Sequence, residues 1–463
     1  MEKNVRIWYY IDMDRKRNKK WIGIVSVALI CICIVIMGNH LSKSSEAVVV
    51  ASDGKTVIAH LYWKDKKIQY ECPEGCEDYV DLTCREAIEV LRKKDGLSKE
   101  EAGKKLVKEQ YTLITYFEED AFKALEKGDK AITSSSGEAL ALSDGKGHLL
   151  AAYTSGNNSS VNQLLKKTYA GSTMKPLSIY GLGIEKNVIS WSSLYKDSAY
   201  EENWPTNVEA FTGQEETVAE ALAESNNAIT VKVLDDVGIK EACTFMRDSL
   251  ELQVDEEKKM IDEDTELYKK ELLSSLGLGY LTEGVNVKEM LENYQVFAQG
   301  GEKYKLSSLK IIENKEKEKI YENSESKEQI FSSETAYIMN RMLKGVVQSG
   351  TGKAAQINGI DVCGKTGTSD NYRDNWFVGM TPEYVCAVWY GMENGERMQN
   401  DAVVAFRETI NQLPADSKIN YQVPETVVER EYCEKTGLLA GEHCENIQTG
   451  YYKENELPSV CGE

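Results

Sequence analysis

Between Trp21 and Gly38 the chain runs for eighteen residues without a charged side chain. An apolar run of that length can cross the hydrocarbon of a bilayer as one helix. Arg15, Lys16, Arg17, Lys19 and Lys20 stand just before it, so the positive-inside rule keeps the N-terminus in the cytoplasm and sends everything after Asn39 outside. A cleaved signal peptide is the competing reading, but the run is long for one and lacks a small-x-small cleavage site. Ile30 before Cys31 and Ile32 before Cys33 do not suit lipidation. The expectation is a cytoplasmic tail (1–20), a single transmembrane helix (21–38) and an extracytoplasmic body.

Charge narrows what that body can bind. The first twenty residues hold seven Lys/Arg against three Asp/Glu, which leaves 48 basic and 72 acidic residues beyond them, a net of −24. Phosphate contacts need clustered cations, so no nucleic-acid partner is expected. Eleven cysteines are present, nine of them outside the apolar run. Cys72, Cys76 and Cys84 form one cluster in sequence, and Cys433, Cys444 and Cys461 another. In an oxidising compartment each cluster would hold one disulfide and one spare thiol. Zinc at Cys72-x-x-x-Cys76 lacks the second pair of ligands at the usual spacing. Neither a metal nor a cofactor is expected.

The chemistry is sought first in Gly171-Ser172-Thr173-Met174-Lys175-Pro176, which opens an apolar run to Ile184. A helix starting at or just before Ser172 puts Lys175 one turn on, on the same face. It also sets the hydroxyl at the positive helix end, where free N–H groups favour a developing oxyanion. A serine hydroxyl is a weak nucleophile until a base takes its proton, and a desolvated lysine can be that base. Alone, the spacing reads as well as a helix cap followed by a surface lysine. Two further signals follow: Ser225-Asn226-Asn227, and Lys365-Thr366-Gly367-Thr368 on a strand-like run. The plain readings of these are a helix cap and strand packing. Three such motifs in this order, at domain-scale spacing, are what a serine acyl-transferase with a lysine base requires.

The resemblance reaches further. Ser349-Gly350-Thr351-Gly352, Asp374-Asn375-Trp376-Phe377-Val378-Gly379 and Ala387-Val388-Trp389-Tyr390-Gly391 flank the third motif. Ser275-Leu276-Gly277 and the stretch from Asn293 through Ala298 to Gly301 lie between the second and third. From about residue 78 to the C-terminus the chain resembles the transpeptidase half of class A penicillin-binding proteins. That resemblance implies an α/β (α+β) fold: an antiparallel five-stranded sheet flanked by helices, plus an all-α subdomain. It implies D,D-transpeptidation through a serine acyl-enzyme, with peptidoglycan stem peptides as donor and acceptor and β-lactams as acylating inhibitors.

The roles carried over are specific. Ser172 attacks the D-Ala-D-Ala carbonyl. Lys175 is the base, its amine held neutral by burial and by the charge of Lys365. Ser225 relays a proton to the leaving nitrogen, and Asn227 orients Lys175 and the substrate amide. Lys365 supplies positive potential, while Thr366 and Thr368 offer hydroxyls to the terminal carboxylate. Gly367 lets substrate approach the strand backbone. By analogy with the family, the N–H groups of Ser172 and Thr368 form the oxyanion hole. Asp374, Trp376 and Phe377 are assigned to structure. His40, His60, His148 and His443 lie outside these motifs, which argues against a histidine-based triad.

Along the chain, 39–96 reads as a membrane-proximal module, 97–414 as the transpeptidase domain and 415–463 as a cysteine-containing tail. Ala47 to Trp63 alternates around Asp53-Gly54, a hairpin signal. Thr83-Cys84-Arg85-Glu86 and Ser98-Lys99-Glu100-Glu101 fit capping boxes opening helices. Glu138 to Ser143 and His148 to Thr154 read as a hairpin, and 360–367, 376–380 and 384–390 as antiparallel strands. Residues 255–270 and 313–328 read as solvated insertions. Class A relatives carry a glycosyltransferase domain after the anchor. Fewer than sixty residues separate Asn39 from Arg92 here, too few for one, and Glu119 and Asp120 read as exposed helix charges. A separate glycosyltransferase and other wall-synthesis proteins are the expected partners. A D,D-carboxypeptidase or β-lactamase-like hydrolase on the same fold is one alternative, and an idle scaffold is another. A β-lactam-sensing receptor would need more than twenty residues inside the cell.

Overall fold

The computed structural model describes residues 46–132, 137–154, 161–391, 401–414 and 419–462. The apolar run at 21–38 lies outside them. No helix among the described residues is long and apolar enough to cross a membrane.

From Glu46 the chain forms β1 (Ala47–Val50), β2 (Val57–Lys64) and β3 (Lys67–Glu71), then helices α1 (Glu77–Asp95) and α2 (Lys99–Lys108), and returns as β4 (Thr112–Thr115). Helix α3 (Glu119–Asp129) leads into the hairpin β5 (Gly137–Ser143) and β6 (Leu149–Tyr153). A mostly helical section follows, with α4 (Val218–Glu224), α5 (Asn227–Val237) and α6 (Val287–Ala298). After β7 (Leu309–Glu313) and β8 (Lys319–Glu322) come α7 (Ser333–Gln348), then β9 (Cys363–Thr368), β10 (Asp374–Met380) and β11 (Val385–Gly391). Helix α8 (Asp401–Ile410) and a last hairpin, β12 (Val427–Cys433) and β13 (Ile447–Lys453), complete the order.

The sheet that carries the third motif runs β9-β10-β11-β5-β6, and every pair in it is antiparallel. All seven residues of β10 and of β11 are buried because both faces are covered. Side chains alternate across it, as a period of two demands. Leu140, Leu142, Phe377 and Val388 meet Leu125 of α3 and Phe406 of α8 in one core. Ala139, Ala141, Val378 and Trp389 join Met174 and Tyr294 in the other. Strand β9 forms one edge of this sheet, and that edge faces the Ser172 segment.

A second sheet was not foreseen. It runs β8-β7-β4-β1-β2-β3, parallel between β1 and β4 and antiparallel elsewhere. The charged stretch read as an insertion at 313–328 supplies its edge strand β8, with Lys319 and Glu322 exposed at the strand ends. Charged edge strands resist further pairing, which explains the composition. Residues 47–71 and 309–322 thus share one sheet. Glu86 of α1 seals the junction, accepting from the N–H groups of Ser308 and Leu309 and the hydroxyls of Ser307 and Ser308, each at 3.0 Å. Helix α1 begins at Glu77, so Thr83 lies within it and its hydroxyl bonds back to the Tyr79 carbonyl at 2.9 Å. The second expected box does form: Ser98 and Glu101 cap α2 reciprocally. Within 255–270, Glu257 is buried and accepts from Ser275 and Thr282.

Candidate active site

The segment opening at Ser172 is helical throughout 171–185, but not α-helical at its start. Gly171–Met174 is a 3₁₀ turn, Pro176–Tyr180 a π turn and Gly181–Glu185 an α turn. Proline at the first π position has no N–H to leave unpaired. Such irregular turns concentrate at functional sites. Gly171 takes φ of +52°, and a Cβ there would sit 2.6 Å from the Thr368 carbonyl oxygen. A Cβ on Gly367 would lie 2.5 Å from the Ala170 carbonyl oxygen. The edge strand and the serine turn can touch this closely only because both positions are glycine.

Lys175 and Lys365 are both completely buried, two amines with no carboxylate hydrogen-bonded to either among the described residues. Lys175 Nζ donates to Asn227 Oδ1 at 2.6 Å and to the Ser225 carbonyl at 2.8 Å. Lys365 Nζ donates to Ser225 Oγ at 2.9 Å and to the Thr366 carbonyl at 3.1 Å. The Ser225 hydroxyl stands between the two amines, 3.5 Å from Lys175 Nζ. Burial, then repulsion from Lys365, holds the Lys175 amine well below the usual lysine range. Burial pushes Lys365 down to about 7. A neutral amine has two N–H groups and one lone pair. On Lys175 the two short acceptors use the N–H groups and leave the lone pair to take a proton.

Ser172 is half-buried, and its hydroxyl makes no hydrogen bond among the described residues. The expected contact between Ser172 and Lys175 is therefore not closed here. Lys175 turns toward the second motif because that motif carries its acceptors.

That motif is held by its own backbone. Thr217 and Glu220 form a capping box opening α4, and Ser225 ends α4 in the left-handed region at φ +63°, aiming its carbonyl at Lys175. A non-glycine residue held there costs on the order of 1 kcal/mol. Asn226 caps α5 by accepting from Ile229 N, and its Nδ2 donates to Asp197 at 2.8 Å. Asn227 Nδ2 donates to the Thr206 carbonyl at 2.9 Å, which fixes its amide with Oδ1 toward Lys175. Asp197 also accepts from Asn207 and from Thr212 N. Burial raises the Asp197 carboxyl, but these hydrogen bonds outweigh it and leave it below the usual range.

Just past β9, Ser369 N donates to the Asp374 carbonyl, and the pairing register continues back through Gly367 with Trp376 and Lys365 with Val378. Ladder bonds alternate along an antiparallel strand, so the Thr366 and Thr368 amides point to the free edge beside Ser172. Thr366 is half-buried and Thr368 exposed.

Sequence reasoning missed two features. Thr351 Oγ1 lies 2.7 Å from Thr366 Oγ1 and its N–H donates to the Ala223 carbonyl, tying the third motif to the end of α4. Gly350 permits this, since a Cβ there would overlap that carbonyl. Tyr280 donates to Asp370 at 2.7 Å and packs edge-on against Tyr169, beside the Gly171–Gly279 backbone bond. The flanking Ser-Gly-Thr-Gly run was the available signal for the first, and nothing in sequence marked the second. Asp374, Trp376 and Phe377 are buried in the sheet. His60, His148 and His443 make no bond to these groups.

The Penicillin binding protein transpeptidase domain family matches residues 131–410, more than half of the chain. This chain belongs to the penicillin-binding protein transpeptidase family. Penicillin-binding protein 1F of Bacillus subtilis (strain 168) is 27% identical over 384 residues, covering 79% of this chain and 49% of that protein. Penicillin-binding protein 4 of the same strain is 31% identical over 225 residues, 48% of this chain and 34% of that one. The chain spans about half or less of the length of these curated relatives. Among solved structures, the D,D-transpeptidase domain of a peptidoglycan glycosyltransferase from Eggerthella lenta aligns with a TM-score of 0.62 at 19% identity, over 80% of this chain and 98% of that one. Penicillin-binding protein 1A from Haemophilus influenzae aligns at 0.63 and 13% identity, over 82% and 76%. These two share the penicillin-binding transpeptidase fold with this chain.

Proposed function

We propose that this protein is a membrane-anchored D,D-transpeptidase that cross-links peptidoglycan stem peptides outside the cell and is acylated by β-lactams. The observation that carries the reading is Lys175, an amine fully buried between the Asn227 and Ser225 carbonyls, with its neutral form favoured. In the reaction the lone pair of Lys175 takes the Ser172 proton as the oxygen attacks the D-Ala-D-Ala carbonyl. The oxyanion is met by the N–H groups of Ser172 and Thr368 at the serine turn. Ser225 passes a proton to the leaving D-Ala nitrogen, with Lys365 supplying the charge behind it and attracting the substrate carboxylate. A second stem's amine then attacks the ester, and Ser172 regains its proton.

The basic residues before 21–38 and the apolar run itself support a cytoplasmic N-terminus and a single span. A transpeptidase of this kind works beside a separate glycosyltransferase and other wall-synthesis proteins. The test is to incubate the full chain with a D-Ala-D-Ala pentapeptide donor and an amine acceptor. One D-Ala released per cross-link, with none from Ser172→Ala, is expected. D-Ala release without cross-links would convert the reading to a carboxypeptidase, and no release together with no β-lactam adduct would leave a scaffold.

A further inference from the structure

Cys433, Cys444 and Cys461 come together at the tail, their three sulfurs all within 4.8 Å of one another and all free thiols. We infer that they form a binding site for one thiophilic divalent cation of the zinc class, which staples the C-terminal tail to itself.

Three observations support this. The first is geometric. Tetrahedral zinc with metal–sulfur bonds of about 2.3 Å sets its sulfurs about 3.8 Å apart. Three thiols at this range match that arrangement, whereas a disulfide would use two and strand the third.

The second is the backbone around the sulfurs. Gly441 N donates to Cys444 Sγ at 3.3 Å. Amides aimed at sulfur offset the charge of metal-bound thiolates and orient them. A disulfide sulfur carries no charge to offset.

The third is the lack of any other interior. Across 434–446 only Gly437 is buried, and it packs on the Ser192 carbonyl of the main body. A loop that long with no apolar core needs a covalent or coordinate staple. Its partner segments are already in register: Leu439 N donates to Ser459 O and Cys461 N returns to Leu439 O.

Binding would release the thiol protons to solvent as three thiolates coordinate the ion. Among the described residues no fourth His, Cys, Asp or Glu joins the cluster, so the fourth position goes to solvent. The site is structural, distant in role from acyl transfer, and stands or falls apart from that reading. Its reach into the body is through Lys453 at the end of β13, which donates to the Ile184 and Glu185 carbonyls where the Ser172 segment ends.

The experiment uses the full chain purified under anaerobic, chelator-free conditions. Elemental analysis is expected to give one zinc per chain, and titration with Co²⁺ an intense thiolate-to-cobalt charge-transfer band. Cys461→Ser is expected to weaken binding at least roughly tenfold, with Cys72→Ser as the unaffected control. Should Cys461→Ser fail to fold, Co²⁺ titration of the unmutated chain against a chromophoric chelator still decides the matter. A tail mass two hydrogens short with one alkylatable thiol would establish a disulfide and overturn the proposal. Three alkylatable thiols with no metal bound would overturn it equally.

Discussion

Replacing Lys365 with methionine should make the protein more stable and less reactive at once. Lys365 is completely buried and its pKa falls from 10.5 to about 7. At and below pH 7 the folded protein must hold a charge that burial disfavours, at a cost of about 5 kcal/mol. Methionine removes that cost. It leaves Ser225 Oγ and the Thr366 carbonyl without their donor, which returns about 1–3 kcal/mol. A net gain of about 2–4 kcal/mol at pH 6 follows. The sign across pH is set by the depressed folded-state value. Between about 7 and 10.5 the unfolded chain binds a proton that the folded chain does not, so wild-type stability rises with pH through that window. The advantage of Lys365→Met is therefore full at and below pH 7 and shrinks as pH rises, until above about 10.5 only the loss of the two hydrogen bonds remains and the variant is the less stable protein. Urea unfolding of both proteins at pH 6, 8 and 10 measures it. A variant no more stable than wild type at pH 6, with a difference that does not change with pH, would refute the reasoning.

Three further outcomes follow from the same geometry. The second-order rate of acylation by an anionic penicillin should decline above about pH 7 as Lys365 loses its proton, while the rate at saturation holds to higher pH because the bound carboxylate retains that proton; a flat second-order constant from pH 6 to 9 by stopped flow would count against it. Asn227→Ala removes the acceptor 2.6 Å from Lys175 Nζ, and should slow acylation by roughly 10²-fold at saturation with little change in initial binding. Gly367→Ala places a Cβ 2.5 Å from the Ala170 carbonyl and pushes β9 off the serine turn, so acylation should fall by about 10²-fold with the fold retained by circular dichroism.

What could be read from sequence was whatever has a short period or a chemical signature. The strands around Lys365 announce themselves through dense Val, Trp, Phe and Tyr, and β9, β10 and β11 fall at the expected places. The three motifs converge because Lys175 and Lys365 meet at Ser225, a pairing that their order foreshadowed. The six-stranded sheet was illegible because its strands join residues some 200 apart in sequence, and because β8 is built from Lys and Glu that look like a solvated loop. The stretch from Thr83 imitates a capping box and so reads as a helix start, whereas Cys76 begins the helix with no side-chain cap. The 3₁₀ and π turns around Ser172 depend on the close contact of Gly171 with Thr368, a tertiary fact with no local trace. Thr351 and Tyr280 acquire their places only once Gly350 and Gly279 let two backbones approach.

The most direct measurement is intact and peptide-level mass spectrometry of the full chain after reaction with benzylpenicillin. The account predicts a single adduct equal to one whole penicillin, on the peptide carrying Ser172, and none in Ser172→Ala. An adduct on another residue, or undiminished labelling of Ser172→Ala, would contradict it.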